Sequence, residues 1–404
     1  MSSRPIIVIS DLRSSFVAAA LSLAQRLKKE KRKPQIIISK ATLEVPDFGQ
    51  EGVRNRKRLG RILSRFYNVK CLDHGTSVSE LGSIGTMSSL LSITCDSSAT
   101  AEKYPQLWNN LLKLTQGAKR VVDYLSENGS EEVYIFNGRL ASTYEISRYA
   151  IDQSMKCHFY EWSHIPNSFV CPPFPIHNFP KWGKAAFDIF SELSRTNQSQ
   201  LEAYAKSGTL GIQEKLNNKF TNAYTESIDS EFDVAIFLSS SHEFASLDPE
   251  LCGIDQRSEL DFVKMVVEKH GSDRQFCVRC HPNQAQDKSW KQTLSPLETY
   301  CRSNGIEYFS PTSSVSSYDL VRRSQITAVD ISSIGLDAIY MNKQVDIFGQ
   351  PDYRLPYEQL SKRHGSDTNS ITADLATVMA IRRNLHHEKF SFTGRLWKGL
   401  ARCI

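Results

Sequence analysis

The chain is 404 residues long, with 40% hydrophobic and 23% charged residues, a composition typical of globular proteins and a length that allows two domains of roughly 150 to 200 residues each. Its 49 basic and 44 acidic residues give a net charge of +5, which is too mild an excess to indicate a nucleic-acid partner. The nine cysteines are scattered and odd in number, a pattern that argues against a disulfide framework and favours reduced thiols.

The N-terminal segment contains a short apolar run, Ile6 to Ile9, which Asp11 and Arg13 interrupt. This run is too short for a secretory signal or a membrane span. We therefore expect a cytoplasmic protein.

The first half of the chain alternates between strand and helix patterns. Strands are predicted at Ile6 to Ile9, Gln35 to Ile38, Val69 to Leu72, Val133 to Phe136 and Cys157 to Tyr160. Helices are predicted at Phe16 to Lys29 and at about 104 to 126 and 184 to 220. This alternation predicts a parallel, helix-covered sheet in a first domain, residues 1–228. The polar stretch Thr221 to Glu231 is the expected linker.

A second alternation follows the linker. Strands are predicted at Val234 to Leu238, Gln275 to Cys280, Ile306 to Phe309, Ile326 to Val329 and Val345 to Phe348. Helices are predicted at Ser258 to His270, Ser316 to Arg323 and Ser333 to Met341. We expect a second Rossmann-like domain, residues 229–370, followed by a helical segment, 371–404, that packs back on the first domain.

His281 and Pro282 directly follow a predicted buried strand. Proline ends ladder pairing and favours an extended backbone at His281, which directs the imidazole out of the sheet edge. Open α/β sheets bind ligands at the carboxyl ends of their strands, so His281, Pro282 and Arg279 are candidate contacts to a phosphate group. The alternative is a surface histidine that caps a strand.

Ser332 and Ser333 lie between a predicted strand and a predicted helix. Their hydroxyls and the first helix amides predict an anion site, and Gly335 allows close backbone approach. The alternative is an ordinary N-cap serine without a ligand. Asp337 lies in the first turn of the same helix. Its carboxylate either interacts favourably with the helix dipole or contacts a ribose.

Two more serine-rich loops follow predicted strands of the second domain. One contains Ser240 and Glu243, and the other contains Ser313. All three residues are candidate donor contacts, and a solvated loop or an N-cap is the alternative for each.

Cys277, Cys280 and His281 match the C-x-x-C-H pattern of covalent haem attachment and half of a zinc site. The motif lies on a predicted buried strand, and the sequence contains neither an export signal nor a second C-x-x-C. We therefore expect both cysteines to be small core residues.

In the first domain, polar residues follow two predicted strands. Asn137 and Arg139 follow one strand, and Glu161 ends the next. A carboxylate here could act as a general base toward a sugar hydroxyl, with Asn137 and Arg139 holding the acceptor or a carboxylate of the sugar. The alternative is a turn together with an ion pair between Glu161 and Arg139. Asp11, after the first strand, is the reserve candidate for the base.

The segment Arg54 to Phe66 places apolar residues on one helical face and basic residues largely elsewhere. It suits either a membrane surface that carries a lipid-linked acceptor or a core helix with a solvated basic face. The tail Phe390 to Ile404 has the same two interpretations. The sequence lacks Walker, dinucleotide-binding, zincin and nucleophile-elbow motifs, so ATPase, dehydrogenase, zincin and hydrolase functions lose their usual support.

The second half resembles the donor domain of GT-B glycosyltransferases, specifically the capsule and surface-polysaccharide enzymes related to Kdo transferases and bacterial sialyltransferases. Those families carry H-P and S-S motifs around the nucleotide of a CMP-sugar, which His281-Pro282 and Ser332-Ser333 match. Asn137-Gly138-Arg139 resembles an N-G-R motif of capsule-type enzymes. The acidic general-base motif of the sialyltransferases is not evident, and teichoic-acid glycerophosphotransferases are similar in the same region.

The resemblance implies an α/β GT-B fold, with two Rossmann-like domains facing across a cleft. The second domain would hold a nucleotide-sugar donor, and the first a glycan or lipid-linked glycan acceptor. Glu161, ahead of Asp11, would be the base, and His281 would stabilise the departing phosphate. No metal pair is apparent, so we expect neither a metal nor a cofactor. The alternatives are a phosphotransferase that uses a CDP-polyol and a non-catalytic member of a polysaccharide assembly complex.

Overall fold

The computed structural model describes residues 4–45, 63, 67–73, 75, 77–163, 165–221, 230–240, 244, 246–255, 257–391 and 394–395. Within these residues the strands form two sheets, one of seven strands and one of five. Helices connect the parallel strands and cover both sheets. Residue 243, most of the segment 54–66 and most of the tail after 391 lie outside the described residues.

The first sheet has the order β12-β6-β5-β4-β1-β2-β3. Its strands are β1 Ile6–Ile9, β2 Gln35–Ser39, β3 Val69–Leu72, β4 Glu132–Phe136, β5 Lys156–Trp162, β6 Ser168–Val170 and β12 His387–Lys389. The five predicted strands are all present and pair in parallel. The prediction of an all-parallel sheet is wrong at one edge, because β6 is antiparallel to both β5 and β12. The segment between β5 and β6 is too short for the crossover connection that a parallel pairing of these two strands would need.

The second sheet has the order β11-β10-β7-β8-β9, and every pair in it is parallel. Its strands are β7 Phe232–Phe237, β8 Phe276–Arg279, β9 Glu307–Phe309, β10 Ser324–Val329 and β11 Gln344–Ile347. All five were predicted, with ends that differ by one or two residues. The strand order reverses between β7 and β10, and such a switch point is where open α/β sheets bind ligands.

The described helices of the first half are α1 Ser14–Lys29, α2 Lys40–Glu44, α3 Glu80–Thr94, α4 Pro105–Glu127, α5 Tyr144–Asp152, α6 Phe179–Thr196 and α7 Gln198–Thr221. Those of the second half are α8 Pro249–Cys252, α9 Glu259–His270, α10 Trp290–Ser303, α11 Ser317–Arg322, α12 Ile334–Tyr340, α13 Arg354–His364 and α14 Thr368–Asn384. The single helical stretch expected at 184 to 220 is two helices, because Asn197 leaves helical geometry (φ −150°, ψ 79°). Its side chain accepts a hydrogen bond from the amide of Gln200 (3.1 Å).

The C-terminal part of the chain returns to the first sheet. Helix α14 buries Ile371, Leu375 and Val378 in one core cluster with Phe190 of α6, and β12 then pairs with β6. The segment after 371 was expected to be helical throughout, and β12 corrects this. The predicted domain boundaries after residues 228 and 370 stay predictions; the second falls inside α14.

Helix α3, the segment after it and the start of α5 contact the loops that follow β7 and β8. The amide of Ser97 donates to Asp287 (3.2 Å), and the hydroxyl of Ser88 donates to the carbonyl of Ser246 (2.6 Å). The hydroxyl of Tyr144 donates to Asp248. These contacts join the domains on either side of a cleft, as the predicted fold class requires. None of the described helices has both the length and the hydrophobicity that crossing a bilayer would demand.

The close approach of α7 and α14 gives a stability test. A Cβ atom at Gly208 would lie 2.5 Å from the carbonyl oxygen of Ala376, whereas at Gly211 it would meet only the end of the Arg383 side chain, at 2.9 Å. We expect Gly208→Ala to lower the free energy of unfolding by about 1–3 kcal/mol, because the backbone of one of the two helices must move to make room for the new Cβ atom. Urea denaturation measures this change.

Gly211→Ala is the matched control in the same helix. It should be neutral or stabilising by about 0.5–1 kcal/mol, because alanine favours the helix more than glycine does. Equal effects of the two substitutions would contradict the proposed packing of α7 on α14.

Candidate active site

A cavity of about 380 Å³ lies at the carboxyl edge of the second sheet. We call it the strand-end cavity. His281 and Pro282, after β8, line it together with Ser332 and Ser333, after β10. The structure thus brings both motifs into one site, although many residues separate them in the sequence. That they bind a ligand stays a prediction.

His281 is held in a defined orientation. It is the N-cap of a 3₁₀ helix, Pro282–Gln286, and its backbone is extended as expected (φ −68°, ψ 131°). Its ring Nδ1 accepts a hydrogen bond from the amide of Asn283 (3.1 Å), and its own amide donates to the Oε1 of Gln284 (2.8 Å). Because Nδ1 is an acceptor, the neutral ring carries its proton on Nε2. The imidazole is therefore a hydrogen-bond donor at Nε2.

Ser332 and Ser333 differ in their surroundings. Ser332 is buried, and its carbonyl accepts a hydrogen bond from the hydroxyl of Tyr353 (2.7 Å). Ser333 is exposed, and its side chain makes no capping hydrogen bond to α12. The N-cap interpretation therefore does not account for Ser333.

Two predicted donor contacts, Arg279 and Ser313, make hydrogen bonds within the protein. Buried Arg279 lines the strand-end cavity, but its guanidinium donates to the carbonyls of Ser310 and Ser313 (3.2 Å for Ser313). The hydroxyl of Ser313 accepts from the amide of Val315 (3.3 Å). These bonds fix the loop after β9. That Arg279 and Ser313 contact a nucleotide stays a prediction.

Gly335 has a packing role. A Cβ atom there would collide with the hydroxyl of Tyr353 and with Val329. The glycine therefore makes room for Tyr353, and Gly335 does not line the strand-end cavity.

Asp337 lines the strand-end cavity from a buried position. Its carboxylate accepts from the hydroxyl of Tyr318 (2.7 Å) and pairs with the ammonium of Lys215 on α7 (2.5 Å). Sequence reasoning missed Lys215, because nothing in its polar helix indicates a partner so far along the chain. Ser240 is buried but does not line this cavity, and Glu243 lies outside the described residues.

In the first domain, Glu161 is the best-supported candidate base. Its carboxylate accepts from the side-chain amide of Asn137 (2.7 Å) and from the amide of Trp162 (3.2 Å). Burial raises the pKa of Glu161 to about 7, although these hydrogen bonds and the charges of Arg13 and Arg139 act in the opposite direction. A carboxyl group with this pKa is matched to proton transfer near neutral pH.

Arg139 joins the two domains. Its Nη1 donates to the hydroxyls of Ser92 (2.7 Å), Ser246 (3.0 Å) and Ser88 (3.3 Å), and burial lowers its pKa. The ion pair with Glu161 is not formed. Nη1 of Arg139 is thus engaged between the domains, and its contact to an acceptor stays a prediction.

His177 was not predicted to belong to this cluster. Its Nε2 lies 3.4 Å from the side-chain nitrogen of Asn137, and burial lowers its pKa to about 3, so the ring is neutral. His177 follows no predicted strand and lies in a proline-rich loop, which gave no signal. Asp11, the reserve base, is engaged by Arg13, whose Nε and Nη2 donate to it (2.9 and 2.6 Å).

Cys277 and Cys280 are fully buried, which confirms them as core residues. Within the described ranges, no three histidine, cysteine, aspartate or glutamate side chains are grouped so that they could hold a metal ion. Metal independence stays a prediction.

No protein-family model and no curated protein matches this sequence. Among solved structures, the chain is similar to a β-Kdo 2,7-transferase, KpsC of Thermosulfurimonas dismutans, with 17% identity, a TM-score of 0.40, and coverage of 68% of this chain and 83% of that one. It is similar to the β-Kdo 2,4-transferase of that KpsC at 12% identity and a TM-score of 0.38, covering 62% and 79%. A UDP-forming α,α-trehalose-phosphate synthase of Burkholderia xenovorans matches at 10% identity and a TM-score of 0.31, covering 99% and 98%. The function proposed below rests on this chain's own residues.

The raised pKa of Glu161 predicts a pH-dependent stability. An unfolded glutamate titrates near 4.3, whereas folded Glu161 titrates at about 7. Between these values the native state binds more protons, so the unfolding free energy contributed by Glu161 falls as pH rises. Glu161→Gln should remove this fall and be more stable than the parent above pH 7, by roughly 1–3 kcal/mol.

Urea denaturation at pH 5 and pH 8 measures this difference. Glu202→Gln, on the exposed surface of α7, is the control and should track the parent at both pH values. A Glu161→Gln variant that does the same would contradict the raised pKa.

Proposed function

We propose that this protein is a glycosyltransferase that moves a sugar from a nucleotide-activated donor, preferably a CMP-sugar, to a glycan acceptor in surface-polysaccharide synthesis. The observation that carries this proposal is the convergence of His281, Ser332 and Ser333 on one cavity at the switch point of the second sheet. The preference for CMP comes from the H-P and S-S pairs, which resemble those of CMP-sugar transferases.

On the donor side, the leaving group is the phosphate of the nucleotide. As the bond from the anomeric carbon to this phosphate breaks, negative charge grows on the phosphate oxygens. The Nε2–H of His281 and the hydroxyls of Ser332 and Ser333 are donors suited to that charge. Preorganised donors of this kind stabilise the departing phosphate without a metal ion.

On the acceptor side, Glu161 takes the proton of the attacking hydroxyl while the new glycosidic bond forms. Asn137 orients this carboxylate. Burial of Glu161 keeps its pKa close to the pH at which a cytoplasmic enzyme would work. The acceptor is a glycan or a lipid-linked glycan. If it is lipid-linked, the protein makes a peripheral membrane contact.

The donor assignment predicts selective stabilisation by CMP. In a thermal-shift panel of CMP, CDP, UDP, GDP and ADP, CMP should raise the melting temperature most, because a ligand that binds only the native state stabilises it by mass action. His281→Ala should abolish the shift. His364→Ala is the control, because His364 pairs with Asp374 outside the strand-end cavity.

The other outcomes of the thermal-shift panel would each support a different function. A preference for CDP would favour polyol-phosphate transfer, which product mass then identifies. UDP or GDP would indicate a different sugar donor, and no response to any nucleotide would favour a non-catalytic role.

The base assignment predicts a pH profile. Turnover by the parent should rise with pH through about 7 as Glu161 loses its proton, and Glu161→Gln should reduce turnover by about 10²–10⁴-fold. Asp11→Asn should keep the profile, since Asp11 is bound by Arg13. Loss of turnover in Asp11→Asn with normal turnover in Glu161→Gln would assign the base to Asp11 instead.

A further inference from the structure

We infer that His177 is a positioning residue for Glu161: its imidazole accepts a hydrogen bond from the side-chain amide of Asn137 and keeps the other N–H of that amide directed at the carboxylate. This inference rests on the proposed function, in which Glu161 is the base. His177 acts on the carboxylate through Asn137 and does not exchange a proton with it.

A tight turn at the end of β4 fixes the backbone of Asn137. Asn137 has left-handed geometry (φ 56°), which asparagine adopts more readily than most residues, and Gly138 follows with φ 98°. The amide of Asn137 donates to the carbonyl of Tyr160 on β5 (3.0 Å), directly before Glu161. With its backbone held, the side chain of Asn137 can still rotate its terminal amide, which exchanges the positions of the oxygen and the nitrogen.

Three neighbours set the orientation of this amide. Its Nδ2 donates to the Oε2 of Glu161 (2.7 Å) and lies 3.4 Å from the Nε2 of His177. Its Oδ1 accepts a longer hydrogen bond from the amide of Arg139 (3.4 Å). Because an amide nitrogen only donates, the Nε2 of His177 is the acceptor, and its neutral ring carries the proton on Nδ1. Burial, together with the charge of Arg139, lowers the pKa of His177 to about 3 and so keeps the ring neutral.

The orientation of the amide matters most when Glu161 takes a proton. An ionised carboxylate only accepts hydrogen bonds and so holds the N–H of Asn137 by itself, whereas a protonated carboxyl group can also donate. If the amide turned, the Oδ1 of Asn137 would accept from the protonated carboxyl group and stabilise it. His177 opposes this turn in both protonation states of Glu161, because its Nε2 needs a donor from Asn137.

The loop between β6 and α6 holds the imidazole in place. The residue on each side of His177 is anchored: the carbonyl of Ile176 accepts from the indole nitrogen of Trp182 (2.8 Å), and the side-chain amide of Asn178 donates to the carbonyl of Leu251 (3.0 Å). An acceptor on an anchored loop can hold the amide in one orientation.

The charged groups around Glu161 do not obscure its titration. Burial raises the pKa of Glu161 to about 7, and the charges of Arg13 and Arg139 oppose this rise. Asp11 pairs with Arg13, and Tyr160 stays neutral because burial raises its pKa well above the ordinary value. A titration near pH 7 that disappears in Glu161→Gln therefore belongs to Glu161.

Two substitutions separate the acceptor of His177 from the space that its ring fills. His177→Phe keeps a ring without an acceptor, and His177→Gln restores an acceptor close to the position of Nε2. Urea denaturation from pH 5 to pH 9 measures the unfolding free energy of each variant with Glu161 and with Glu161→Gln. The difference within each pair isolates the titration of Glu161.

In the parent, this difference should fall as pH rises and level off near pH 7, where folded Glu161 loses its proton. In His177→Phe the fall should continue to a pH about one unit higher, because the hydrogen bond that stabilises the ionised carboxylate is weakened. The rise of turnover with pH should move upward by the same amount. His177→Gln should follow the parent in both measurements.

The outcomes separate this inference from the proposed function. If His177→Phe folds and titrates as the parent does, or if His177→Gln shifts as much as His177→Phe, the inference is wrong and the proposed function stands. A parent that binds no nucleotide and transfers no sugar overturns the proposed function, whereas the stability titration still decides whether His177 orients the carboxylate. If His177→Phe does not fold, His177→Asn takes its place with the same expected result, because its shorter side chain ends before it reaches Asn137.

Discussion

The pairing of β7 with β8 on one side and with β10 on the other is the constraint on which the site depends. All these strands are parallel, so the loops that follow them emerge at one edge of the sheet. The chain must cross over to place β10 on the far side of β7, and the crevice at this reversal lies between the loops after β7 and β10. His281 and the two serines meet there because of this topology. The strand-end cavity lies at this crevice, as expected for an open α/β sheet.

The parallel strands were predictable because they are buried on both faces. Ile6–Ile9 and Phe276–Arg279 are buried throughout, and a nearly continuous apolar run is the sequence pattern of such strands. Strands β6 and β12 were not predicted, because β12 has only polar residues and short β6 is defined by its two antiparallel partner strands. Helix α3 was missed for another reason: its buried face contains Thr86, Ser88 and Ser89 as well as leucines, which hides the usual apolar periodicity.

The candidate site was predictable only where a polar side chain lies close to the carboxyl end of a strand. His281 and Ser332 follow β8 and β10 by a few residues, and Glu161 lies near the end of β5. Other residues predicted for the site make contacts within the protein: Arg279 binds the loop after β9, and Gly335, in α12, makes room for Tyr353. A sequence pattern does not distinguish a side chain that faces a ligand from one that faces a neighbouring loop.

Partners that come from distant segments were not predictable at all. Lys215 reaches Asp337, His177 lies beside Asn137, and Glu259 holds Gln284. The raised pKa of Glu161 likewise depends on burial that the tertiary structure creates. These contacts convert two separate motifs into oriented donors and a candidate base.

The central claim is that His281, Ser332 and Ser333 hold the phosphate of a nucleotide. A crystal structure of the protein with CMP tests this claim most directly. The account predicts that the phosphate lies in the strand-end cavity, within hydrogen-bond distance of the His281 Nε2 and of at least one of the two serine hydroxyls. A phosphate bound elsewhere, with these three side chains unchanged and without contact to the ligand, would contradict it.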